Sequence, residues 1–149
     1  MSATLERHFR SPFPALNVQR RSEGLATDTV YSDVKDIEHG HQAAQFFCGH
    51  RSLVSDAFGV TTDAQFLQTL QDVVRKRGAP TKLISDRAQA EVSKNVKDYL
   101  RWMAIDDWQS EPHRQNQNPA ERRYQVIKRL ANKLLDRTGA TPELWLLAL

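Results

Sequence analysis

TKLISD (residues 81–86) and NQNPAERR (residues 116–123) lie in the part of the chain that decides the fold. The first stretch is a short apolar run that ends in the carboxylate of Asp86, and it predicts a strand. The second places Glu121 in the first turn of a predicted helix, because apolar residues continue at helical spacing to Leu135. Asp86 and Glu121 are 35 residues apart (121 − 86). This interval leaves room for the crossover that brings a strand end and a helix start to one edge of a sheet.

The composition allows one domain and favours a polyanionic partner. A chain of 149 residues is long enough to bury a core within a single domain. Its single cysteine, Cys48, excludes an internal disulfide and a zinc finger built from several cysteines. No apolar run reaches the roughly 18 residues of a membrane-spanning helix. The net charge of +3 and the pI near 9.2 indicate a mildly basic protein, as expected of a nucleic-acid-binding domain.

A change in composition near residue 24 predicts two regions. Residues 1–24 are expected to form a basic linker or arm, and residues 25–149 a folded core. The segment SPFP (residues 11–14) cannot continue a helix, because each proline lacks an N–H donor and restricts the residue before it. The last predicted helix is still apolar at Leu149, so we expect the core to be truncated at its C-terminal end.

Hydrophobic spacing predicts an α/β domain. The predicted elements are strands at 25–31, 43–48 and 52–58, a helix at 66–74, a strand at 81–86, a helix at 92–103, a strand at 105–109, and helices starting at 119 and 142. Asp63 is expected to cap the first helix and Gly78 to end it. Three strands with short links, followed by alternating strands and helices, predict a mixed five-stranded sheet with helices on both faces. Asp36 and Asp56 are expected to be solvated.

Together, the two stretches resemble the catalytic core of retroviral and retrotransposon integrases, and they are most similar to copia-type retrotransposon integrases. In that family the second Asp and the Glu of a DDE signature are separated by this same interval. The segment NQNPAER (residues 116–122) is similar to the PxxNGxxER sequence that leads to the family's catalytic Glu. The resemblance covers residues 24–149 and implies the RNase H-like fold.

The resemblance implies a catalytic set of three acids, of which Asp86 and Glu121 are two. The third belongs on the first strand, where Asp28 and Asp33 are both candidates. The segment TDTVY (residues 27–31) resembles the first-Asp segment of copia-type integrases and favours Asp28. A shorter hairpin of the retroviral kind favours Asp33, so the choice between the two stays open, with Asp28 preferred.

Carboxylates are the ligands that metal-dependent phosphodiester chemistry requires. Two hard cations about 3.5–4 Å apart can bind both the attacking and the leaving oxygen, and Mg²⁺ prefers oxygen ligands. The resemblance therefore implies two Mg²⁺ or Mn²⁺ ions bound by Asp28, Asp86 and Glu121. Structural roles fit the same residues, because Asp86 suits a turn after a strand and Glu121 suits the capping-box position after an Asn118 N-cap.

The predicted third helix carries candidate DNA contacts. Glu121, Gln125 and Lys128 are four and seven residues apart and share one face of the helix. We expect this face to be opposite the apolar stripe, whose members are Tyr124, Ile127, Ala131 and Leu134. The resemblance implies that Lys128, Arg122 and Gln125 contact DNA, although a solvated polar helix face explains the same spacing.

The resemblance implies a polynucleotidyl transferase or endonuclease that performs 3′-end processing and strand transfer in DNA integration. It also implies DNA partners (element ends and target DNA), a homo-oligomer without membrane contact, and a location in the nucleus or in a cytoplasmic element particle. Residues 86–89 read DRAQ where the family has Asp-Asn-Gly, and Pro119 replaces a glycine. These departures favour an alternative, a decayed core that only binds DNA or protein partners. Another RNase H-like nuclease is a third interpretation.

Overall fold

The computed structural model describes residues 11–85, 93–109 and 118–149. Within these ranges the strands are β1 Leu25–Tyr31, β2 Ala43–Gly49, β3 Ser55–Val60, β4 Lys82–Ser85 and β5 Asp106–Gln109. The helices are α1 Phe66–Arg77, α2 Lys94–Trp102, α3 Pro119–Thr138 and α4 Trp145–Ala148, with 3₁₀ turns at Pro14–Leu16, Asp63–Gln65 and Pro142–Leu144. The order of strands and helices is the predicted one. None of the described helices is long and apolar enough to cross a membrane.

The strands form one mixed five-stranded sheet in the order β3-β2-β1-β4-β5. β2 pairs antiparallel with both β1 and β3, whereas β4 pairs parallel with both β1 and β5. Asp28 is opposite Phe46 of β2, and Ala26 is in register with Ile84 of β4. The sheet therefore confirms the predicted meander followed by parallel crossovers.

Alternate residues of β1 belong to different hydrophobic cores, because successive side chains of a strand point to opposite faces. Leu25 lies in the core below α1 and α2, whose large members include Phe47, Leu70, Leu83 and Leu100. Ala26 and Val30 lie in the core below α3 and α4, together with Phe46, Ile84, Ala120 and the partly buried Tyr124 and Trp145. Helices thus cover both faces, as predicted, and Asp28 falls on the α3 face.

The 3₁₀ turn that leads into α1 has Thr62 as its N-cap, and the predicted cap Asp63 is the first residue of that turn. The Gln65 side chain accepts hydrogen bonds from the backbone N–H groups of Thr61 (2.6 Å) and Thr62 (3.3 Å), which fixes the turn that begins at Asp63. Thr62 and Asp63 are both suitable caps, and the glutamine three residues after Thr62 decides between them. Gly78 ends α1 with a φ of 92°, as predicted.

β3 begins at Ser55, three residues later than predicted (55 − 52), because Glu23 holds the preceding turn. The Glu23 carboxylate accepts hydrogen bonds from the backbone N–H groups of Arg51 and Ser52, both at 2.9 Å. It also accepts one from the Ser52 hydroxyl at 2.7 Å and forms an ion pair with Arg21. Ser52, which the local sequence places in a strand, is thus held in a turn by Glu23, which is 29 residues away in the chain.

Residues 18–23, part of the predicted basic arm, contact the folded core. Val18 packs against the core below α1 and α2. The Arg20 guanidinium donates hydrogen bonds to the carbonyl oxygens of Met103 and Ala104, the latter at 2.8 Å, where α2 leads into β5. The domain boundary at residue 24 stays a prediction, although these contacts join residues 18–23 to the core.

The prediction that Asp36 is solvated is wrong. Its buried carboxylate accepts hydrogen bonds from the backbone N–H groups of Glu38, His39 and His41 at 2.7–2.8 Å. The bond from His39, followed by those from His41 and Glu38, holds the pKa of Asp36 below its ordinary value although burial opposes this. Asp36 therefore organises the turn between β1 and β2, in which Gly40 has a φ of 70°.

The prediction that Asp56 is solvated is also wrong. Its carboxylate is 8% exposed and is paired with two cations of α1. Lys76 Nζ and Arg77 Nε each lie 3.0 Å from a carboxylate oxygen of Asp56. Burial alone would raise the pKa of Asp56, but the hydrogen bonds from Arg77 and Lys76 lower it. This acid joins β3 to α1.

We predict that Glu23→Gln lowers the free energy of unfolding at pH 7 by about 1–3 kcal/mol, because several donors lose a charged acceptor. Burial alone would raise the pKa of Glu23, but the hydrogen bonds from Ser52, Arg21 and Arg51 lower it from 4.5 to about 2. A folded-state pKa below the unfolded one stabilises the fold above about pH 4.5, and this contribution is lost as the pH falls toward 2. The difference in free energy of unfolding between wild type and Glu23→Gln should therefore become smaller as the pH falls.

Urea unfolding of both proteins at pH 7, 5 and 3 measures this difference. Glu38→Gln is the control, since Glu38 is exposed and its carboxylate forms no hydrogen bond or ion pair within the described residues. A gap between wild type and Glu23→Gln that stays constant from pH 7 to pH 3 would contradict the assigned role of the ionised carboxylate.

Candidate active site

Asn118 fixes the start of α3 to β1. Its side-chain oxygen accepts a hydrogen bond from the backbone N–H of Ala120 at 3.0 Å, which confirms the predicted N-cap, and Pro119 is the first helical residue. The side-chain amide of Asn118 donates to the carbonyl oxygen of Thr27 at 3.2 Å, and this bond is buried. A single side chain thus begins the helix and ties it to the residue before Asp28.

Asp28 lies on the sheet face that α3 covers and is half-buried. Tyr124, three residues after Glu121, packs on the same face, with its ring 5.7 Å from that of Phe46 in an edge-to-face arrangement. Burial and, secondarily, the charge of Asp28 raise the pKa of the Tyr124 phenol. Asp28 therefore lies near the helical turn that follows Glu121.

Glu121 is half-buried in the first turn of α3, at the third helical position. Within the described residues its carboxylate forms no hydrogen bond or ion pair, so it does not make the reciprocal capping-box bond to Asn118. Its place in the first turn lies at the positive end of the helix dipole, where negatively charged side chains are stabilising. Glu121 therefore has the charge and position of a metal ligand without a structural partner among the described residues.

Asp86 lies outside the described residues, as do residues 87–92. β4 ends at Ser85, the residue before Asp86, and Ile84 is in register with Ala26 of β1. Among the residues that the structure describes, no group of three His, Cys, Asp or Glu side chains could hold a metal ion. The set of Asp28, Asp86 and Glu121 consequently stays a prediction.

Asp33, the alternative first acid, is exposed and lies two residues beyond the end of β1 at Tyr31. It lines an open cleft together with Tyr124 and Lys128 of α3. Asp28 and Asp33 thus both lie next to α3, one on the sheet and one on the connection that leaves it.

This cleft, of about 300 Å³, lies beside α3 and begins one turn beyond Glu121. Its walls come from α3, from the connection after β1 and from the C-terminal segment. The lining residues are Tyr31, Ser32, Asp33, Val34, Tyr124, Lys128, Ala131, Asn132, Leu135, Pro142, Trp145 and Leu149. The C-terminal helix is therefore part of the surroundings of the candidate site.

The predicted DNA contacts all lie on α3, and only Lys128 lines the cleft. Arg122, Gln125 and Lys128 are exposed. Lys128 lies beside the buried stripe rather than opposite to it, because it shares the cleft with the buried Ala131. Leu134, expected in the buried stripe, is 50% exposed, and Leu135 faces the C-terminal segment instead.

Sequence reasoning assigned neither Asn132 nor Tyr31 to the cleft. Asn132 follows Lys128 by four residues, and this helical spacing could have identified it. Tyr31 is the last residue of β1, and no local signal in the sequence shows that its side chain is exposed. The cleft depends on the packing of the C-terminal segment, which spacing alone does not predict.

We predict that Asn118→Ala destabilises the domain more than loss of an ordinary helix cap, by roughly 2 kcal/mol against about 1 kcal/mol. The variant loses both the cap of α3 and the buried bond to Thr27. Asn118→Ser keeps an oxygen for the cap but is too short to reach Thr27, so it should fall between wild type and Asn118→Ala. Urea unfolding at neutral pH measures the three free energies.

Ser93→Ala is the matched control, because Ser93 caps α2 by accepting from the backbone N–H of Val96 at 3.2 Å. Equal losses for Asn118→Ala and Ser93→Ala would show that the bond to Thr27 adds nothing to the cap.

No protein-family model and no curated protein sequence matches this chain. Among solved structures, it is similar to the HTLV-2 integrase catalytic core domain in complex with magnesium. The dimeric form has a TM-score of 0.59 and 16% sequence identity, over 89% of this chain and 80% of that chain. The trimeric form has a TM-score of 0.58 and 13% identity, over 85% of this chain and 78% of that chain.

A second similar structure is the simian T-cell lymphotropic virus intasome in complex with PP2A regulatory subunit B56 gamma. The TM-score is 0.61 at 15% identity, over 94% of this chain, which spans 59% of that chain. Identities this low show the fold alone. The sheet order and the helices on both faces, together with these similarities, confirm the prediction from sequence: this chain has the RNase H-like fold of integrase catalytic cores.

Proposed function

We propose that this chain is the catalytic core of a copia-type retrotransposon integrase, which processes DNA 3′ ends and joins them to target DNA. The observation that carries the proposal is the Asn118–Thr27 bond, which holds the helix that bears Glu121 against the strand that bears Asp28. The similarity of the fold to integrase catalytic cores supports this function. Sequence alone supports the copia-type origin.

In this proposal, Asp28, Asp86 and Glu121 bind Mg²⁺ or Mn²⁺, two ions in all. The donor set fits, because carboxylate oxygens are the ligands that these hard cations prefer. When bound, the ions stabilise negative charge on the attacking and leaving oxygens of the phosphodiester. Ala26 of β1 is in register with Ile84 of β4. Asp28 follows Ala26 by two residues and Asp86 follows Ile84 by two, which supports the proposed place of Asp86 beside Asp28. The HTLV-2 catalytic core is a magnesium complex, which is consistent with the proposed metal.

The roles of the other residues follow from their chemistry. The start of α3 places Glu121 at the positive end of the helix dipole, and the Asn118 bond holds α3 against β1. Arg122 and Lys128 are exposed cations that would contact DNA phosphates, and the Gln125 amide would donate a hydrogen bond to the same backbone. Water is the nucleophile in end processing, and a DNA 3′-hydroxyl is the nucleophile in strand transfer.

The proposed partners are element ends, target DNA and further copies of this chain. The HTLV-2 core occurs in a dimeric and a trimeric form, and the simian virus structure is an intasome. These assemblies support a homo-oligomer acting on DNA. The proposed location is the nucleus or a cytoplasmic element particle.

A second candidate is a decayed integrase core that binds DNA or protein partners without catalysis. Residues 86–89 (DRAQ) and Pro119 depart from the integrase pattern, and Ala88 lacks the conformational freedom of glycine. The two candidates differ in metal-dependent activity and agree in fold and in the exposed cations of α3.

We predict that Glu121→Gln lowers Mn²⁺-dependent strand transfer by about 100-fold or more, because loss of a ligand charge removes several kcal/mol of stabilisation in the transition state. Glutamine preserves the size of the side chain at the start of α3, so the melting temperature without metal should be unchanged or slightly higher. The measurement is joining of labelled DNA ends to a target duplex, alongside thermal unfolding in chelator.

Asp136→Asn is the control for this experiment, since Asp136 is an exposed acid on the same helix. Full strand transfer by Glu121→Gln in an active parent protein would overturn the catalytic role of Glu121. A parent protein that binds DNA ends but never joins them with Mg²⁺ or Mn²⁺ would favour the decayed core.

We predict that Lys128→Ala weakens DNA-end binding and lowers the slope of log K against log salt by about 1, because one phosphate contact releases its counterions. Lys97→Ala is the control, an exposed lysine of α2 on the other face of the sheet. Fluorescence anisotropy at several salt concentrations gives both slopes, and equal slopes for Lys128→Ala and wild type would exclude this phosphate contact.

A further inference from the structure

A line of exposed apolar side chains follows α3 on the side away from the cleft. Val126, Leu130 and Leu134 are 43%, 59% and 50% exposed. They are four residues apart and therefore share one face of the helix. Leu130 follows Lys128 by two residues, a turn of about 200°, so it points away from the cleft that Lys128 lines. These three apolar residues, the outer stripe, thus form a face of α3 distinct from the one that carries Lys128.

The shape of the outer stripe fits another helix. Side chains four residues apart form a ridge along a helix, and such ridges pack into the grooves of a second helix. The stripe extends over eight residues (134 − 126), which is about 12 Å of helix axis. The partly buried Ile127 continues the apolar surface toward the sheet. An amphipathic helix with apolar residues at i, i+4 and i+7 would cover a stripe of this length.

Cations border the outer stripe along its whole length. Arg129, Lys133 and Arg137 are exposed, and each follows one member of the stripe by three residues, so it lies beside the stripe on the helix surface. None of the three forms an ion pair with any residue that the structure describes. Asp136 is an acid of the same helix, but it lies on the side of these cations away from the stripe. The border therefore offers positive charge to a partner.

Arg123 lies at the N-terminal end of the outer stripe, three residues before Val126. It is half-buried, and its buried Nε has no hydrogen-bond partner among the described residues. A buried donor without a partner costs free energy, and a carboxylate is a strong partner for a guanidinium. An acidic side chain of a bound helix would satisfy this donor. The charge of the face and this unpaired donor thus call for the same kind of partner.

We propose that the outer stripe binds an acidic amphipathic helix of a partner protein. Its apolar residues cover the stripe, and its carboxylates pair with the bordering cations and with Arg123. A second copy of this face would bring like charges together, which is unfavourable. DNA matches the charge, but its phosphate backbone offers no apolar surface to leucine. The bound helix leaves the Lys128 face open, so the inference goes beyond the proposed function and does not depend on it.

The test uses two labelled helical peptides of about 20 residues, long enough to form a helix. Both have leucine at the apolar positions, and the flanking positions are glutamate in one and lysine in the other. Fluorescence anisotropy should show binding of the glutamate peptide and at least about tenfold weaker binding of the lysine peptide. Leu130→Gln should weaken binding of the glutamate peptide by about tenfold or more, because it removes the central apolar contact. Lys133→Glu should weaken the glutamate peptide and strengthen the lysine peptide, an inversion that a general loss of structure does not produce.

Trp102→Gln is the matched control, because Trp102 is 65% exposed and belongs to α2, on the other face of the sheet. It should leave peptide binding unchanged, and Leu130→Gln should leave DNA-end binding unchanged. Thermal unfolding of each variant shows that the fold is kept.

Four outcomes would overturn the inference and leave the proposed function standing. The first is no saturable binding of the glutamate peptide, and the second is equal binding of both peptides or an unchanged affinity of Leu130→Gln. The third is a dimer in sedimentation that Leu130→Gln dissociates, which would assign the outer stripe to a second copy. The fourth is binding to phosphatidylserine vesicles that requires Leu130, without binding of the peptide, which would assign the stripe to a lipid surface. Weaker DNA-end binding by Leu130→Gln would assign it to DNA and overturn the inference as well.

Discussion

The hydrogen bond from the Asn118 amide to the Thr27 carbonyl joins two segments that are 91 residues apart in the chain. A buried amide needs a partner, and so does the N–H group of Ala120 at the start of α3, so Asn118 satisfies two requirements at once. The direction of α3 over the sheet follows from this contact and from the packing of Tyr124 on Phe46. The start of α3 therefore determines the position of Glu121, the packing of Tyr124 on the sheet and the cleft along the helix.

The acids of this domain fall into two groups. Glu23, Asp36 and Asp56 each accept hydrogen bonds from donors or cations that lower the pKa of the carboxyl. Glu23 and Asp56 join separate elements of the fold, and Asp36 holds one turn. Removing a partner from such an acid leaves its buried charge uncompensated, which is strongly destabilising. Glu121 differs, since it is half-buried at a helix start and has no hydrogen bond or ion pair within the described residues. Contacts within the described residues account for the first group, whereas for Glu121 they give only its favourable place at the start of α3.

Sequence patterns predicted those features whose cause lies within a few residues. The bounds of β1, the Asn118 cap and the Gly78 end of α1 belong to this class, because strand propensity, capping and a glycine of positive φ act locally. The start of β3 could not be predicted, because Glu23 acts on it from 28 residues away. Distant partners likewise decide the burial of Asp56. For the candidate site, the motif pointed to Asp28 and Glu121, and their catalytic roles stay predictions. The cleft, by contrast, arises only when the C-terminal segment packs against α3.

The contacts of residues 18–23 have a practical consequence for protein production. Composition changes at residue 24, but a shortened chain that begins there loses Val18 from the core and the Arg20 bonds to Met103 and Ala104. It also leaves the turn amides of Arg51 and Ser52 without the carboxylate that orders them. A chain expressed from the first strand onward therefore lacks the contacts that hold the turn before β3 and the connection from α2 to β5. If such a fragment is poorly soluble, loss of these contacts is the structural explanation. The contacts lie away from the sheet face that α3 covers, where the candidate site is.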